Sequence, residues 1–362
     1  MTPATTTPPN FDANRAQAFG ERMLGVLNGA ALALMTSIGH RTGLFDVMAG
    51  MPPADSAKIA TLAGLNERYV REWLGAMTTA GVVEYDPQQR VYGLPAEHAA
   101  CLTREARPNN LAATTQWIAL LGGVEDALVE CFERGGGVPY AAYGRFHAVM
   151  AEESDQTVVA ALESAILPSV PGLVEALERG IEVLDVGCGS GGAINHMARR
   201  FPRSRFTGYD LLADSVAAAK SEALAHGLRN TRFEVRDVSE IELAGRFQLI
   251  TAFDAIHDQA RPDVVLAAIG RALNRDGVFL MQDIAGTSHV HEDAKHPLAP
   301  FLYTVSCMHC MTVSLSQNGA GLGAMWGRER ALRMLEAAGF EKVEVSTLPH
   351  DPINQYYVAR RV

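Results

Sequence analysis

The first third of the chain has apolar positions at helical spacing and ends in a predicted β-hairpin. Asp55 precedes one short helix, Asn66 caps the next and Gly81 ends it. The predicted helices cover 57–63 and 67–80, and the predicted strands cover 82–85 and 90–94 around a turn at 86–89. Helix, turn, helix and hairpin in this order indicate a winged-helix domain, which we place at 20–107 behind a flexible leader, 1–19.

A second helical region follows at 108–177, which we predict to be a connector, and after it the spacing of apolar positions changes. This connector contains the glycine run 135–137, interpreted as a loop, and an aromatic cluster at Tyr140, Tyr143 and Phe146. From Ile181 onward strands alternate with helices, which predicts a parallel sheet covered on both faces. The predicted strands are 182–186, 205–209, 231–236, 247–253, 278–283, 342–348 and 355–360, with a helix at 328–338 before the last two.

Composition and charge narrow the functions that this architecture allows. The chain has 362 residues, 48% of them hydrophobic, which is enough for two folded domains. Its formal charge of -10 argues against binding to a phosphate backbone, so we expect no nucleic-acid partner. Five scattered cysteines do not form a disulfide framework and fit a reducing, cytoplasmic setting. The apolar stretch 23–39 carries polar residues and three glycines, and we assign it no membrane span.

The strongest motif follows the first strand of the alternating region. Residues 183–192 read Val-Leu-Asp-Val-Gly-Cys-Gly-Ser-Gly-Gly, a glycine turn between a strand and a helix. Glycines allow a tight turn and let a cofactor approach the backbone with no Cβ between them. Gly187, Gly189 and Gly192 also satisfy the G-x-G-x-x-G pattern of dinucleotide sites, so the glycines alone leave NAD open.

Two acidic residues, Asp185 and Asp237, favour a cofactor with an ammonium group and no phosphate over NAD, whereas a third, Asp210, suits the ribose of either. Asp185 lies two positions before the first glycine, where a carboxylate suits an ammonium group and would repel a pyrophosphate. Asp210 follows the second strand, and Asp237 follows the third, where it can accept from an adenine amino group. The carboxyl ends of parallel strands meet at one edge of the sheet, so these acids line the usual ligand crevice.

This arrangement resembles the class I S-adenosylmethionine-dependent methyltransferases over residues 181–362. The resemblance implies an α/β fold with a Rossmann-like seven-stranded methyltransferase sheet, preceded here by the α-helical winged-helix domain. It implies S-adenosylmethionine as cofactor, with Asp185 and the glycines at the methionyl end and Asp210 at the ribose. The cofactor-binding residues that we predict are Asp185, Gly187, Gly189, Gly191, Asp210, Leu211, Asp237, Val238, Phe253 and Asp254.

An ionisable pair follows the fourth strand. His257 and Asp258 fall where loops of such a sheet face the reactive end of the cofactor. His257 resembles the general base of the plant-type O-methyltransferases, where a His-Asp pair also occurs. A phenol, with a pKa of about 10, reacts faster when such a base removes its proton. A thiol, with a pKa of about 8.5, ionises more readily and depends less on a base. We predict His257 and Asp258 as catalytic; the alternative is a loop histidine bonded to the backbone.

Residues 285–327 form a connection much longer than a sheet requires, and we expect them to roof the acceptor pocket. Cys307-x-x-Cys310 lies within it and suggests a redox pair or half of a zinc site. A redox pair belongs at a strand-to-helix junction and a zinc site usually has a second close pair of ligands. The sequence shows neither, so we expect pocket-lining or buried thiols and no metal. The predicted pocket residues are Tyr303, His309, Cys310, Trp326 and His350, the last in a terminal turn at 350–354.

The whole chain resembles a bacterial group that joins a winged helix to a methyltransferase. Three functions remain open at this point: O-methylation of a small molecule, S-methylation of a small thiol or sulfide, and a regulator that senses S-adenosylmethionine. For the enzyme we expect a homodimer formed through the N-terminal domain, because the apolar segment 23–38 needs a covering partner. The predicted recognition helix balances Arg68 and Arg71 against Glu67 and Glu72, which argues against DNA binding.

Overall fold

A computed structural model describes residues 11–108, 110–240 and 243–361, and its chain divides into two compact units, 1–119 and 120–362. Residues 108–119 of the predicted connector fall in the first unit and 120–177 in the second. Most of the leader, 1–10, lies outside the described residues. The first helix nevertheless begins at Ala13 rather than near Gly20, because the carboxylate of Asp12 accepts from the backbone N–H of Arg15 and caps it.

The first unit is a helical domain with a small hairpin. Trp73 and Phe45 pack edge to face at 5.3 Å in its core, and the indole N–H of Trp73 donates to the carbonyl of Met35. The elements are α1 (Ala13–Thr42), α2 (Leu44–Ala49), α3 (Ser56–Ala63), α4 (Glu67–Thr79), β1 (Glu84–Asp86), β2 (Val91–Gly93), α5 (Ala96–Leu102) and α6 (Leu111–Thr114). Helix, helix and antiparallel hairpin follow in the predicted winged-helix order.

Helix α1 carries a row of apolar side chains that the first unit does not cover. Phe19, Leu24 and Leu27 are each at least 60% exposed. Among the described residues, α1 is the single helix that is long and apolar enough to cross a membrane. The bent helix pair at 146–169 and 173–179 would also be long and apolar enough if it were counted as one span. Soluble core helices meet the same criterion, so the composition of α1 does not define its surroundings.

The second unit contains a seven-stranded sheet. Helices α7 (Gln116–Gly122), which spans the boundary between the units, α8 (Glu125–Arg134), α9 (Phe146–Thr157) and α10 (Leu173–Arg179) precede it, with short 3₁₀ and π turns at 140–142 and 159–169. The sheet region contains β3 (Glu182–Val186), α11 (Gly192–Arg200), β4 (Arg205–Asp210), α12 (Ala213–Ala225), β5 (Thr231–Val235), β6 (Phe247–Phe253), α13 (Pro262–Ala272), β7 (Leu273–Ile284), α17 (Gly327–Ala337), β8 (Lys342–Leu348) and β9 (Asp351–Arg360).

The strand order is β5-β4-β3-β6-β7-β9-β8, with β9 antiparallel between β7 and β8. Strand β3 therefore lies mid-sheet, and the ends of β3, β4 and β6 converge at one edge. This confirms the predicted α/β fold class with a helical winged-helix domain before it. The terminal turn predicted at 350–354 is wrong in extent, because Asp351 to Asn354 already pair with neighbouring strands and extend β9.

The long connection between β7 and α17 is folded. It contains α14 (Val290–Asp293), α15 (Ala299–Val305), a π-helical turn (Ser306–Cys310), α16 (Met311–Ser316) and a 3₁₀ turn (Ala324–Trp326). The glycine run of the connector packs against it, which a free loop would not do. A Cβ on Gly137 would lie 2.0 Å from the carbonyl oxygen of Thr312, and the Thr312 hydroxyl accepts from the N–H of Val138. Gly137 is thus required by close packing, in addition to forming a loop.

Candidate active site

The glycine turn after β3 forms one wall of a cavity of about 430 Å³. Gly187 has φ 72° and Gly191 has φ 79°, a left-handed backbone that favours glycine. A Cβ on Gly187 would lie 2.5 Å from that of Ala255, and one on Gly191 would lie 2.7 Å from that of Ala219. The turn therefore depends on glycine both for its conformation and for its close packing.

Asp185 is the next-to-last residue of strand β3, just before the turn, and is buried. Its Oδ1 accepts from the hydroxyl of Thr251 on the neighbouring strand at 2.7 Å. Burial is the main cause that raises the pKa of Asp185 to about 7, and the Thr251 hydrogen bond partly opposes it. The carboxyl faces the cavity, so a cationic group bound there would favour its ionised form.

Asp210 ends strand β4 on the adjacent side of the cavity. Its two oxygens accept from the backbone N–H groups of Gly189 and Leu212, each at 2.9 Å. Burial raises the pKa of Asp210, and these backbone hydrogen bonds oppose the rise. The carboxylate thus connects the glycine turn to the loop after β4, and its remaining lone pairs can accept from a ligand.

The cavity brings together most of the predicted cofactor residues. Those that line it are Asp185, Gly187, Gly189, Asp210, Leu211, Val238, Phe253 and Asp254. Gly191 is not among the lining residues and acts through the shape of the turn. Asp237 is also outside the lining, and its Oδ1 accepts from the N–H of Ser239 at 2.8 Å. A role of Asp237 at an adenine stays a prediction.

His257 lies behind the cavity wall, almost fully buried. Its Nδ1 lies 2.8 Å from Oδ1 of Asp283, and its Nε2 lies 3.3 Å from Oδ1 of Asp258. Oδ1 of Asp283 also accepts from the indole N–H of Trp326 at 2.9 Å. Burial lowers the pKa of His257, but the neighbouring acidic groups of Asp283, Cys310 and Asp258 outweigh it and raise that pKa well above its ordinary value.

Asp258 is the member of this group that faces the cavity. Its Oδ2 accepts from the hydroxyl of Tyr140 at 3.1 Å, and its Oδ1 is buried without a well-oriented hydrogen bond among the described residues. Burial, followed by the charge of Asp258, raises the pKa of Tyr140 well above its ordinary value, so this phenol remains a donor. An ionisable group bound in the cavity would therefore meet Asp258 before His257.

Asp254 occupies a strained position at the end of β6. Its φ of 49° is left-handed for a residue with a side chain, and its N–H donates to the carbonyl of Gln282. Within the described ranges its buried Oδ1 has no hydrogen-bond partner. Burial raises the pKa of Asp254, partly offset by His257. A non-glycine residue held in this conformation beside a cavity is typical of a functional position.

The predicted pocket residues separate into two groups. His309 and Cys310 lie close to Asp258: Nδ1 of His309 is 3.9 Å from Oδ2 of Asp258, and Cys310 contacts both Asp258 and His257. Trp326 is buried and holds Asp283. Tyr303 instead donates to Asp293 at 2.8 Å, and Nε2 of His350 lies 3.1 Å from the carbonyl oxygen of Thr157. None of the five lines the cavity as the structure describes it.

Several functional residues were not predicted from the sequence. Asp283 lies in no recognisable sequence motif. Its place at the predicted end of β7 was the one sign that it lies at the edge of the sheet where ligands bind. Helix α9 and the turn before it supply a whole wall of the cavity, and Phe146 stacks on the His309 ring at 4.2 Å. The wall residues from this region are Tyr140, Phe146, His147, Met150, Ala151, Glu152, Ser154 and Asp155. The aromatic cluster in the connector was the one signal that could have identified it.

Two family models match the chain. Residues 30–104 match an Rv2258c-like winged HTH domain, and residues 177–339 match a methyltransferase domain. A fatty-acid O-methyltransferase of Mycolicibacterium smegmatis is 27% identical over 183 residues, which are 50% of this chain and 61% of that protein. The chain thus matches less than two thirds of the length of this relative.

Solved structures share the fold over nearly the whole chain. A putative O-methyltransferase from Nostoc punctiforme superposes with a TM-score of 0.70 at 17% identity, covering 94% of this chain and 98% of that one. Human N-acetylserotonin methyltransferase in complex with S-adenosylmethionine gives 0.67 at 18% identity, with coverage of 98% and 99%. The chain therefore contains a methyltransferase domain, which is preceded by an Rv2258c-like winged helix-turn-helix domain.

Proposed function

We propose that the protein transfers a methyl group from S-adenosylmethionine to the hydroxyl oxygen of a small acceptor. The observation that carries this proposal is one cavity that is lined both by Asp185 with its glycine turn and by Asp258, which is backed by His257 and Asp283. The first group suits the methionyl end of the cofactor, and the second suits an acceptor that must lose a proton.

The residues present fit the cofactor. Asp185 is a buried carboxyl that faces the cavity, and the ammonium of the methionyl group would stabilise its charged form. Asp210 keeps lone pairs for the ribose hydroxyls after bonding Gly189 and Leu212. Asp237 and Val238 are assigned to the adenine. The cofactor supplies an electrophilic methyl group on a sulfonium, and the protein contributes mainly alignment of the two reactants.

On the acceptor side, His257 and Asp258 act as one unit. Asp258 is the group nearest the acceptor, Tyr140 orients its second oxygen, and His257 compensates its charge. Asp283 fixes the ring of His257 through Nδ1. When no metal ion is bound, this pair receives the proton that the acceptor hydroxyl loses. Such general base catalysis raises the rate by about 10²–10⁴-fold.

S-methylation of a small thiol or sulfide is the second candidate. It is favoured by one observation: His257 lies behind Asp258 rather than at the cavity surface. A thiol ionises near about pH 8.5 and needs less help from a base.

The test compares a phenolic and a thiol acceptor in the wild type and in His257→Ala, with methyl-labelled cofactor. We expect the variant to lose about 10²-fold or more on the phenol and much less on the thiol, with unchanged affinity for S-adenosylhomocysteine. Full activity of the variant on the phenol would exclude the base assignment. A screen of small acceptors with the same label identifies the substrate, since the fold does not.

We also propose a homodimer that forms through α1. The exposed apolar side chains of this helix need a covering partner, and a second copy of the same helix offers a matching surface. DNA binding is not part of the proposal, because Arg68 and Arg71 on α4 each pair with a glutamate of the same helix. All five cysteines are free thiols, which suits a cytoplasmic setting.

A further inference from the structure

The side chains of His257, Asp258 and Cys310 meet behind the cavity wall, and Asp258 is the one of the three that lines the cavity. One ligand atom from each lies within 4.8 Å of the other two. Cys310 lies in the π-helical turn of the long connection, and its thiol is buried at 4% exposure. Imidazole, carboxylate and thiolate are the ligand types that zinc takes in proteins.

The spacing of the two fixed donors fits a tetrahedral zinc ion. Zinc bonds of about 2.0–2.1 Å to nitrogen and oxygen place tetrahedral neighbours about 3.3 Å apart. Nε2 of His257 and Oδ1 of Asp258 are 3.3 Å apart. Oδ1 of Asp258 is buried without a hydrogen-bond partner among the described residues, so this oxygen remains available to a cation.

Outer partners already orient both of these ligands. Nδ1 of His257 faces the carboxylate of Asp283, which leaves Nε2 for a metal, and the Tyr140 hydroxyl holds the second oxygen of Asp258. Carboxylate to histidine to zinc is the usual arrangement around such ions.

We propose that His257, Asp258 and Cys310 bind a zinc ion with one open coordination position towards the cavity. Three protein ligands and one open position are the pattern of catalytic zinc sites. This replaces the expectation of no metal, which concerned the pair Cys307 and Cys310, and it uses Cys310 alone. A neighbouring set of Asp254, His257 and Asp283 is less suited, because Nδ1 and Asp283 already bond each other.

The role of the ion rests on the proposed function, whereas its binding does not. An acceptor hydroxyl or thiol at the open position would release its proton to water in the cavity at lower pH, as zinc-bound water does. The ion would then take over the task that the metal-free pair of His257 and Asp258 performs. The acceptors favoured are those whose oxygen or sulfur can ligate zinc.

The experiment measures zinc content and affinity of the purified full-length chain. The variants are Cys310→Ser and, as a matched control three residues away in the same turn, Cys307→Ser. We expect one zinc per wild-type chain, and cobalt substitution should give a thiolate-to-cobalt charge-transfer band. Cys310→Ser should lose the band and weaken zinc binding by more than about 100-fold, beyond the 10–100-fold typical of outer partners. Cys307→Ser should retain both.

Two results would overturn the zinc site: a wild-type chain that takes up no zinc from a buffered zinc solution, or a Cys310→Ser variant that binds zinc and keeps the cobalt band. Thermal unfolding of each variant identifies a folding defect, and the wild-type zinc content decides the question even if Cys310→Ser does not fold. Calorimetry with S-adenosylhomocysteine is run on the same samples. A chain that binds zinc but not S-adenosylhomocysteine would contradict the proposed function and leave the zinc site intact. A chain that binds S-adenosylhomocysteine but no zinc would contradict the zinc site and leave the proposed function intact.

Discussion

Oδ1 of Asp283 lies 2.8 Å from Nδ1 of His257 and is shared with the indole N–H of Trp326 and the backbone N–H of Ile284. Three donors on one oxygen fix the carboxylate, and the carboxylate in turn fixes the plane of the imidazole. The orientation of the His257 ring is therefore fixed by residues that lie on the side away from the cavity and do not line it.

Asp283→Asn should lower kcat by about 10–100-fold while leaving S-adenosylhomocysteine affinity unchanged, because it removes the charge that orients His257 without altering the glycine turn. Steady-state kinetics and calorimetry give the two quantities. Asp46→Asn, which breaks a carboxylate pair with Arg104 in the first unit, is the control and should keep kcat. An Asp283→Asn enzyme with wild-type kcat would contradict the positioning role.

The affinity for S-adenosylhomocysteine should fall as the pH decreases below about 7. Asp185 is protonated there in the free protein, and the ligand ammonium requires the carboxylate. One coupled proton predicts about a tenfold change per pH unit well below that value. Calorimetry at several pH values measures it. Thr251→Val removes the hydrogen bond that lowers the pKa of Asp185 and should move the transition upward.

The same ionisation should act on stability in the opposite direction. The pKa of Asp185 in the folded protein is above its value in the unfolded chain, so its contribution is complete below about pH 4. It is lost as the pH rises to about 7, the folded pKa. Urea unfolding of Asp185→Asn against wild type, without cofactor, should therefore show a stability difference that grows with pH over this range. A pH-independent difference would contradict the raised pKa.

Asp210→Ala should weaken cofactor binding by about 10–100-fold and leave the fold intact. The carboxylate is expected to bond the ribose hydroxyls, and charged hydrogen bonds of this kind contribute about 1.5–3 kcal/mol. Calorimetry measures the affinity, and circular dichroism checks the fold. Unchanged affinity would mean that Asp210 serves only to tie Gly189 to Leu212.

Gly191→Ala and Gly189→Ala form a pair that separates backbone strain from collision. Both positions have positive φ, but a Cβ at Gly191 would lie 2.7 Å from that of Ala219, whereas a Cβ at Gly189 would meet nothing within 4 Å. Each change should cost about 1–2 kcal/mol of unfolding free energy, with about 1–3 kcal/mol more at Gly191. Urea titration measures both, and equal losses would contradict the packing argument.

Leu24→Asp should convert the proposed dimer to a monomer, because it introduces a charge into the exposed apolar face of α1. Light scattering after gel filtration gives the mass. Leu62→Asp, at an exposed leucine of α3, is the control and should leave the mass unchanged. A wild-type chain that runs as a monomer at all concentrations would refute the dimer.

The sequence predicted the sheet, and most of the residues predicted for the cofactor line one cavity, because both depend on local signals. Asp185 and the glycines lie within one short motif, and Asp210 ends a strand whose pattern was clear. Asp283 and Tyr140 were not predicted, because they meet His257 and Asp258 through strand order and helix packing, across 26 and 118 residues of chain. Cys310 was interpreted with Cys307, its neighbour in sequence, whereas the fold places it against His257.

Trp326 belongs to the folded connection between β7 and α17, the segment predicted to roof the acceptor, yet its indole bonds the aspartate that orients His257. In the proposed enzyme, the segment that is expected to cover the acceptor also holds the residue that orients the imidazole of His257. Replacing this segment with that of a relative would therefore also disturb the imidazole of His257. A change in substrate specificity will then be accompanied by a change in kcat, unless both Trp326 and Asp283 are retained.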